Sequence, residues 1–168
     1  MEHPDYNSPS DLKTFLEDNA MSMQKKFGQN FLVNGDARKK IVNALALSPG
    51  MNVWEVGPGL GAMTEEILSR GAKLTVFEID RGFVKMLKNF YEKEIASGEL
   101  TIIEGDVLKT WKRQCDETGI PERFFGNLPY NIAAAIIGDT IEQNVRFDKA
   151  VVTVQKEVAQ RMTSAPGT

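Results

Sequence analysis

The sequence predicts an α/β fold built on a mostly parallel sheet, and two observations carry that prediction. From about residue 52 onward, short β-prone runs alternate strictly with amphipathic helical runs. A chain that alternates in this way closes a parallel sheet with right-handed crossovers. The second observation is the stretch Val53 to Thr64, Val-Trp-Glu-Val-Gly-Pro-Gly-Leu-Gly-Ala-Met-Thr. It begins apolar and β-prone, turns through Gly57, Gly59 and Gly61, and enters a helical pattern. Glycines take positive φ cheaply and let a ligand approach bare backbone. A helix start presents N–H groups without intrahelical partners and a partial positive charge. The stretch reads as a small-molecule site at the carboxyl end of the first strand of the sheet.

The elements follow in order. Residues 9–20 read as an amphipathic helix capped by Ser10, with Leu12, Phe15, Leu16 and Ala20 on one stripe. Residues 24–34 lack periodicity and are broken by Gly28, which predicts a structured loop. Asp36 to Leu47 reads as a helix with Ile41, Val42 and Leu45 inward, ended by the turn Ser48-Pro49-Gly50. Strands are predicted at 52–56, 73–77, 100–104, 122–126 and 149–155. The helices between them run to about Arg70, over 82–97, over 108–117 more weakly, and over 132–143, and a last one begins near Lys156. In the helix over 82–97, Val84, Leu87, Tyr91 and Ile95 share one face.

Composition narrows the class. A chain of 168 residues suits one domain with a real core. Apolar content of 42% and charged content of 26% are ordinary for a soluble globular protein. No apolar run approaches the ~20 residues of a membrane span. The start Met-Glu-His-Pro-Asp-Tyr has neither a basic n-region nor an apolar h-region. A cytoplasmic protein with no membrane partner is expected. Cys115 is the single cysteine, which excludes an internal disulfide and a multi-cysteine metal site. His3, the sole histidine, falls in a terminus expected to fray. Neither metal nor nucleophilic chemistry is expected from the two. Net charge is −3 but uneven. Residues 1–20 hold Glu2, Asp5, Asp11, Glu17 and Asp18 against Lys13, whereas 21–45 hold Lys25, Lys26, Arg38, Lys39 and Lys40 against Asp36. A basic segment beside the glycine turn can meet phosphates, though charge alone favours an ordinary solvated face.

In a parallel sheet ligands bind outside the carboxyl ends of the strands, so the polar residues at strand ends carry the chemistry: Glu55, Glu78, Asp106 and Asn127. Glu78 lies 21 residues after Gly57, where a carboxylate accepts hydrogen bonds from both hydroxyls of a ribose. The ligand therefore contains a nucleoside. Gly57-Pro58-Gly59-Leu60-Gly61-Ala62 also satisfies the dinucleotide pattern, so this half of the chain leaves an NAD-dependent oxidoreductase open. Asp106 can accept from the exocyclic amine of an adenine lying across the strand tips, although Gly-Asp is also a common turn. Asn127-Leu128-Pro129-Tyr130 is more informative. Proline fixes φ, aiming the Asn127 amide and the preceding carbonyls into the cleft with an aromatic ring beside them. Those carbonyls are pure acceptors suited to an –NH₂ group, and a flat ring suits a stacked base.

Phe27-Gly28-Gln29-Asn30-Phe31-Leu32, the Glu55-to-Gly61 turn, Glu78-Ile79-Asp80, Gly105-Asp106, Asn127-Leu128-Pro129-Tyr130-Asn131-Ile132 and the tail Gln155 to Met162 together resemble the KsgA-type rRNA adenine dimethyltransferases over about residues 24–166. The antibiotic-resistance (Erm-type) enzymes share the layout, but the wording of the first and fifth motifs fits the housekeeping branch. The resemblance implies a Rossmann-like, class I S-adenosylmethionine-dependent methyltransferase fold. It implies S-adenosylmethionine as cofactor and two adjacent adenosines near the 3′ end of small-subunit rRNA, each methylated twice at N6, as substrate. The implied partner is the immature small ribosomal subunit, met by a monomer. By position, Asn30 and Leu32 would touch the donor, Gly57 and Gly59 its methionine part, Glu78 its ribose and Asp106 its adenine. Asn127 would serve both donor and target amine, with Tyr130 stacked on the base.

The sequence departs from the family where Ala133-Ala134-Ala135 follow Ile132 in place of Ser or Thr, and at its end. The family has seven strands and then a helical C-terminal domain, so the expectation is an N-terminal extension over 1–23 and a methyltransferase domain over 24–168 truncated after its fifth strand. Such a fragment is expected to keep the donor pocket and to methylate rRNA poorly. Two competing readings remain: the oxidoreductase, and a non-catalytic RNA-binding or ribosome-assembly factor. A methyltransferase for protein glutamine or DNA adenine is the near neighbour, and the Phe-Gly-Gln-Asn-Phe-Leu loop argues against it.

Overall fold

A computed structural model describes residues 2–19, 21, 33–128, 130–153 and 160. The side chains of Tyr130 and Asn131 are outside that description. The elements are α1 (Pro9–Asp18), α2 (Gly35–Leu45), β1 (Asn52–Val56), α3 (Ala62–Leu68), β2 (Lys73–Glu78), α4 (Arg81–Phe90), α5 (Glu92–Ser97), β3 (Leu100–Glu104), α6 (Val107–Thr118), β4 (Arg123–Asn127), α7 (Tyr130–Glu142) and β5 (Lys149–Thr153).

The strands form one parallel sheet in the order β3-β2-β1-β4-β5. Alternation along each strand divides the core. Val53, Leu74, Val76 and Phe125 face α2, α3 and α4 through Leu45, Ile67 and Leu87. Trp54, Val56, Phe77 and Phe124 face α6 and α7 through Trp111 and Ile136. The result is a three-layer sandwich with β1 at its centre. The register then lines up the tips. Val56 pairs with Phe77 and Gly126, Glu78 with Glu104, and Asn127 with Thr153. Glu104, Glu78, Gly57, Asn127 and Thr153 therefore form one row across the carboxyl edge, in sheet order.

Three expectations are corrected here. Ser8, not Ser10, caps α1: its hydroxyl accepts from the Asp11 N–H, and Pro9 occupies the first helical position, where a proline costs no hydrogen bond. The single helix expected over 82–97 is two. At Tyr91 the backbone leaves helical values (φ −114°, ψ 35°) and the buried ring reaches inward to the glycine turn. The N-terminus is not frayed: His3 is half-buried and stacks on Phe90 with centroids 4.4 Å apart. Tyr6, Leu12 and Leu16 share an apolar cluster with Leu60 and Phe83. Within the basic stretch, Arg38 is buried and donates to the Tyr6 carbonyl and to Asn7 Oδ1, while Lys39 and Lys40 are exposed. Phe27 to Leu32 and the helix expected from Lys156 lie outside the described residues, apart from a helical Gln160.

Candidate active site

The site is built on the exit of β1. The Gly57 N–H donates to the Phe77 carbonyl at 3.0 Å, carrying the β1–β2 ladder one step past the strand. The chain then turns through Gly57 (φ 74°), Gly59 (φ 57°) and Gly61 (φ 91°), conformations that side chains resist. The Gly61 N–H closes the turn on the Pro58 carbonyl at 2.9 Å. A Cβ on Gly57 would sit 3.2 Å from Leu128 Cδ2 and 3.5 Å from the Asn127 carbonyl oxygen. The exits of β1 and β4 thus approach each other here, and glycine keeps the space between them open.

Two buried acids brace this turn. Glu78, 5% exposed, accepts the Gly59 N–H on Oε2 at 3.1 Å and the Asp80 N–H on Oε1 at 2.9 Å. Burial pushes its carboxyl upward, and those two N–H bonds hold it down. It ties the glycine turn to the exit of β2. Glu55, 1% exposed, accepts the Thr64 hydroxyl at 2.7 Å. It joins β1 to the first turn of α3 across the base of the glycine turn. Burial, with the Glu78 charge adding to it, raises the Glu55 carboxyl to about 8 against the pull of Thr64.

The outer tips are set by caps and cross-strand bonds. Asp106 Oδ1 accepts the Leu108 N–H at 3.0 Å and starts α6, as Asp80 Oδ1 accepts the Gly82 N–H and starts α4. On the other side, Asn127 Oδ1 accepts the Thr153 hydroxyl at 2.6 Å. Among the described residues, no group of three or more His, Cys, Asp or Glu is placed to hold a metal ion, and no helix is long and apolar enough to cross a membrane.

A family model for ribosomal RNA adenine dimethylase matches residues 20–168. This chain belongs to the ribosomal RNA adenine dimethylase family. It is 51% identical over 164 residues to ribosomal RNA small subunit methyltransferase A of Treponema denticola, covering 98% of this chain and 56% of that protein. The protein of the same name from Borreliella burgdorferi is 39% identical over 159 residues, covering 95% and 54%. The crystal structure of a dimethyladenosine transferase from Plasmodium falciparum matches with a TM-score of 0.64 at 28% identity, covering 80% of this chain and 46% of that one. The chain spans about half the length of the curated relatives it matches. The fold is that of the S-adenosylmethionine-dependent methyltransferases, as the sequence predicts.

In this dimethylase-family chain the structure brings Gly57, Gly59, Glu78 and Asn127 together across adjacent strand tips. Asp106 lies one strand further out, past β3. Asn30, Leu32 and Pro129 lie outside the described residues, and of Tyr130 only its place at the start of α7 is described. Two residues at the tips are assigned no role of their own from the sequence. Thr153 is visible only once the β4–β5 register is known. Ile79 is a large apolar residue 49% exposed between Glu78 and Asp80. Its signal was in the sequence, as an isoleucine where a strand end should turn polar.

Proposed function

We propose that this chain carries the donor site and the target-amine motif of an S-adenosylmethionine-dependent methyltransferase. Its substrate is N6 of two adjacent adenosines near the 3′ end of small-subunit rRNA, met in the cytoplasm on an immature small subunit. The observation that carries the reading is the single row of Glu78, Gly57 and Asn127 across three neighbouring strand tips, in a member of this family. The residues fit the donor. Glu78 is a buried acceptor held by two N–H groups, and each carboxylate oxygen has a further lone pair for a ribose hydroxyl. Ile79 offers an apolar face to a purine, and Asp106 keeps an oxygen beyond its helix cap for an exocyclic amine. Gly57 and Gly59 are assigned to the methionine part of the donor, and Asn30 and Leu32, outside the described residues, are assigned to it by the family resemblance. When bound, S-adenosylmethionine supplies an electrophilic methyl group on a sulfonium sulfur.

The chain's own part is positioning. The lone pair of an adenine N6 is delocalised into its ring, which makes it a poor nucleophile. Asn127 Oδ1 and the Leu128 carbonyl accept its two N–H bonds and favour a pyramidal nitrogen, while Tyr130 stacks on the extruded base. No group of lowered basicity is required, which suits a chain whose one histidine is engaged elsewhere. Calorimetry with S-adenosylhomocysteine and with NADH tests the donor: binding of the first alone is expected, and binding of NADH alone would overturn the reading. Labelled-methyl transfer to unmodified small subunits tests the acceptor, using residues 1–168 and the same chain extended to the length of its relatives. Asn127→Ala is expected to lower transfer at least ~100-fold while weakening S-adenosylhomocysteine binding less than ~10-fold. Near-normal turnover by that variant would remove Asn127 from its role.

A further inference from the structure

The segment His3 to Asn7 lies outside the stretch matched by the family model, and the function proposed above gives it no task. The structure ties it to the glycine turn. Tyr6, 6% exposed, donates its hydroxyl proton to the Leu60 carbonyl at 2.7 Å, across 54 positions of sequence. With that proton committed, the phenol oxygen accepts from His3 Nδ1–H at 2.9 Å. His3 in turn stacks on Phe90 and meets Tyr91 edge-on at 5.1 Å. Tyr91 donates to the next carbonyl of the turn, that of Gly61, at 2.9 Å. Two consecutive carbonyls of the turn are therefore gripped by two buried phenols, one from the N-terminal segment and one from the α4–α5 junction. Burial pushes both phenols well above their ordinary value, so both stay protonated donors. The segment is itself anchored, since Arg38 of α2 donates to the Tyr6 carbonyl at 3.3 Å and to Asn7 Oδ1 at 2.9 Å.

Each of the three glycines at positive φ in this turn loses more backbone freedom on being ordered than another residue would. Freedom lost on binding is subtracted from affinity, and a turn fixed beforehand avoids that loss. We propose that Tyr6 is a positioning residue: the N-terminal segment locks the glycine turn in its donor-receiving conformation, so that affinity for S-adenosylmethionine is set partly from outside the matched domain. The inference rests on the donor reading above. Tyr6→Phe keeps the ring and its packing and removes the grip on Leu60. Calorimetry with S-adenosylhomocysteine on the folded variant is expected to show a Kd raised about tenfold. In methyl transfer the donor KM should rise by a similar factor, with kcat within twofold. His3→Phe keeps the stacking but removes the bond to the phenol, and should raise Kd about threefold. It reads the same effect if Tyr6→Phe fails to fold. A purely structural role would lower the melting temperature of Tyr6→Phe and leave Kd within twofold of the wild type, and that result would overturn the inference while the donor reading stands. If the wild-type chain binds no S-adenosylhomocysteine, the donor reading fails first and the inference falls with it.

Discussion

Among single residues, Asn127 and Thr153 set the sharpest condition on the site. An amide side chain on a strand tip can present either its oxygen or its nitrogen to the cleft. The Thr153 hydroxyl donates to Oδ1 at 2.6 Å and holds the amide in one orientation. One hydrogen bond of this kind contributes about 1 kcal/mol, and if that free energy serves orientation it is worth about fivefold in rate. Thr153→Val preserves the β-branched shape that the strand prefers and removes the donor. The expected outcome is a kcat for methyl transfer lower by about fivefold, with S-adenosylhomocysteine affinity within twofold. An unchanged kcat would show that Asn127 is oriented without Thr153. The sequence exposed Asn127 because it sits at the end of an apolar run, two residues before a proline. It concealed Thr153, which belongs to another strand and meets Asn127 only through the register.

Among elements, the joint between β1 and α3 is where charge and fold meet. Alternation puts Glu55 on the same sheet face as Val53, against α3, so its carboxyl is buried before it finds the Thr64 hydroxyl. The folded chain holds that proton up to about pH 8, against an ordinary value of 4.5. Between those two values the folded state binds more protons than the unfolded state, so stability falls as pH rises through the window, by at most about 1.4 kcal/mol per pH unit. Burial shifts Glu78 in the same direction and adds to the slope. Glu55→Gln is neutral throughout and still accepts the Thr64 hydroxyl. In urea unfolding it is expected to match the wild type at pH 5 within about 1 kcal/mol and to exceed it at pH 8.5 by roughly 2–4 kcal/mol. Parallel pH profiles for the two proteins would mean that Glu55 is ionised in the fold. The elements themselves were largely legible. β1 runs over Asn52–Val56 and β3 over Leu100–Glu104, as their apolar runs and bounding glycines indicate. The break at Tyr91 was not legible, because Val84, Leu87, Tyr91 and Ile95 keep helical spacing straight through it. The contact that accompanies the break is with Gly61, 30 residues away.

Across the whole molecule, a parallel sheet with its polar tips in one row has one edge suited to a nucleoside. The described residues nevertheless form a second concavity. A recess of about 490 Å³ lies between the N-terminal segment, α2 and α3, and Asp5, Asn7, Lys39, Glu66 and Ser69 are in its lining. The two places make different hydrogen-exchange predictions for a bound S-adenosylhomocysteine. Any ligand that binds only the folded state slows exchange of core amides uniformly, by about 2.7 kcal/mol at a hundred times its Kd. Amides that exchange by local opening escape that uniform term and respond only to direct contact or to a locally stiffened turn. The turn 57–61 and the strand exits at 78–80, 106–108 and 127–128 are therefore expected to gain protection beyond the core. Amides of Lys39, Glu66 and Ser69 should change no more than other surface positions. The opposite pattern, with excess protection around Lys39, Glu66 and Ser69 and none at Gly57 to Gly61, would move the donor site to the recess. It would also leave the row of Glu78, Gly57 and Asn127 as a feature of the fold alone.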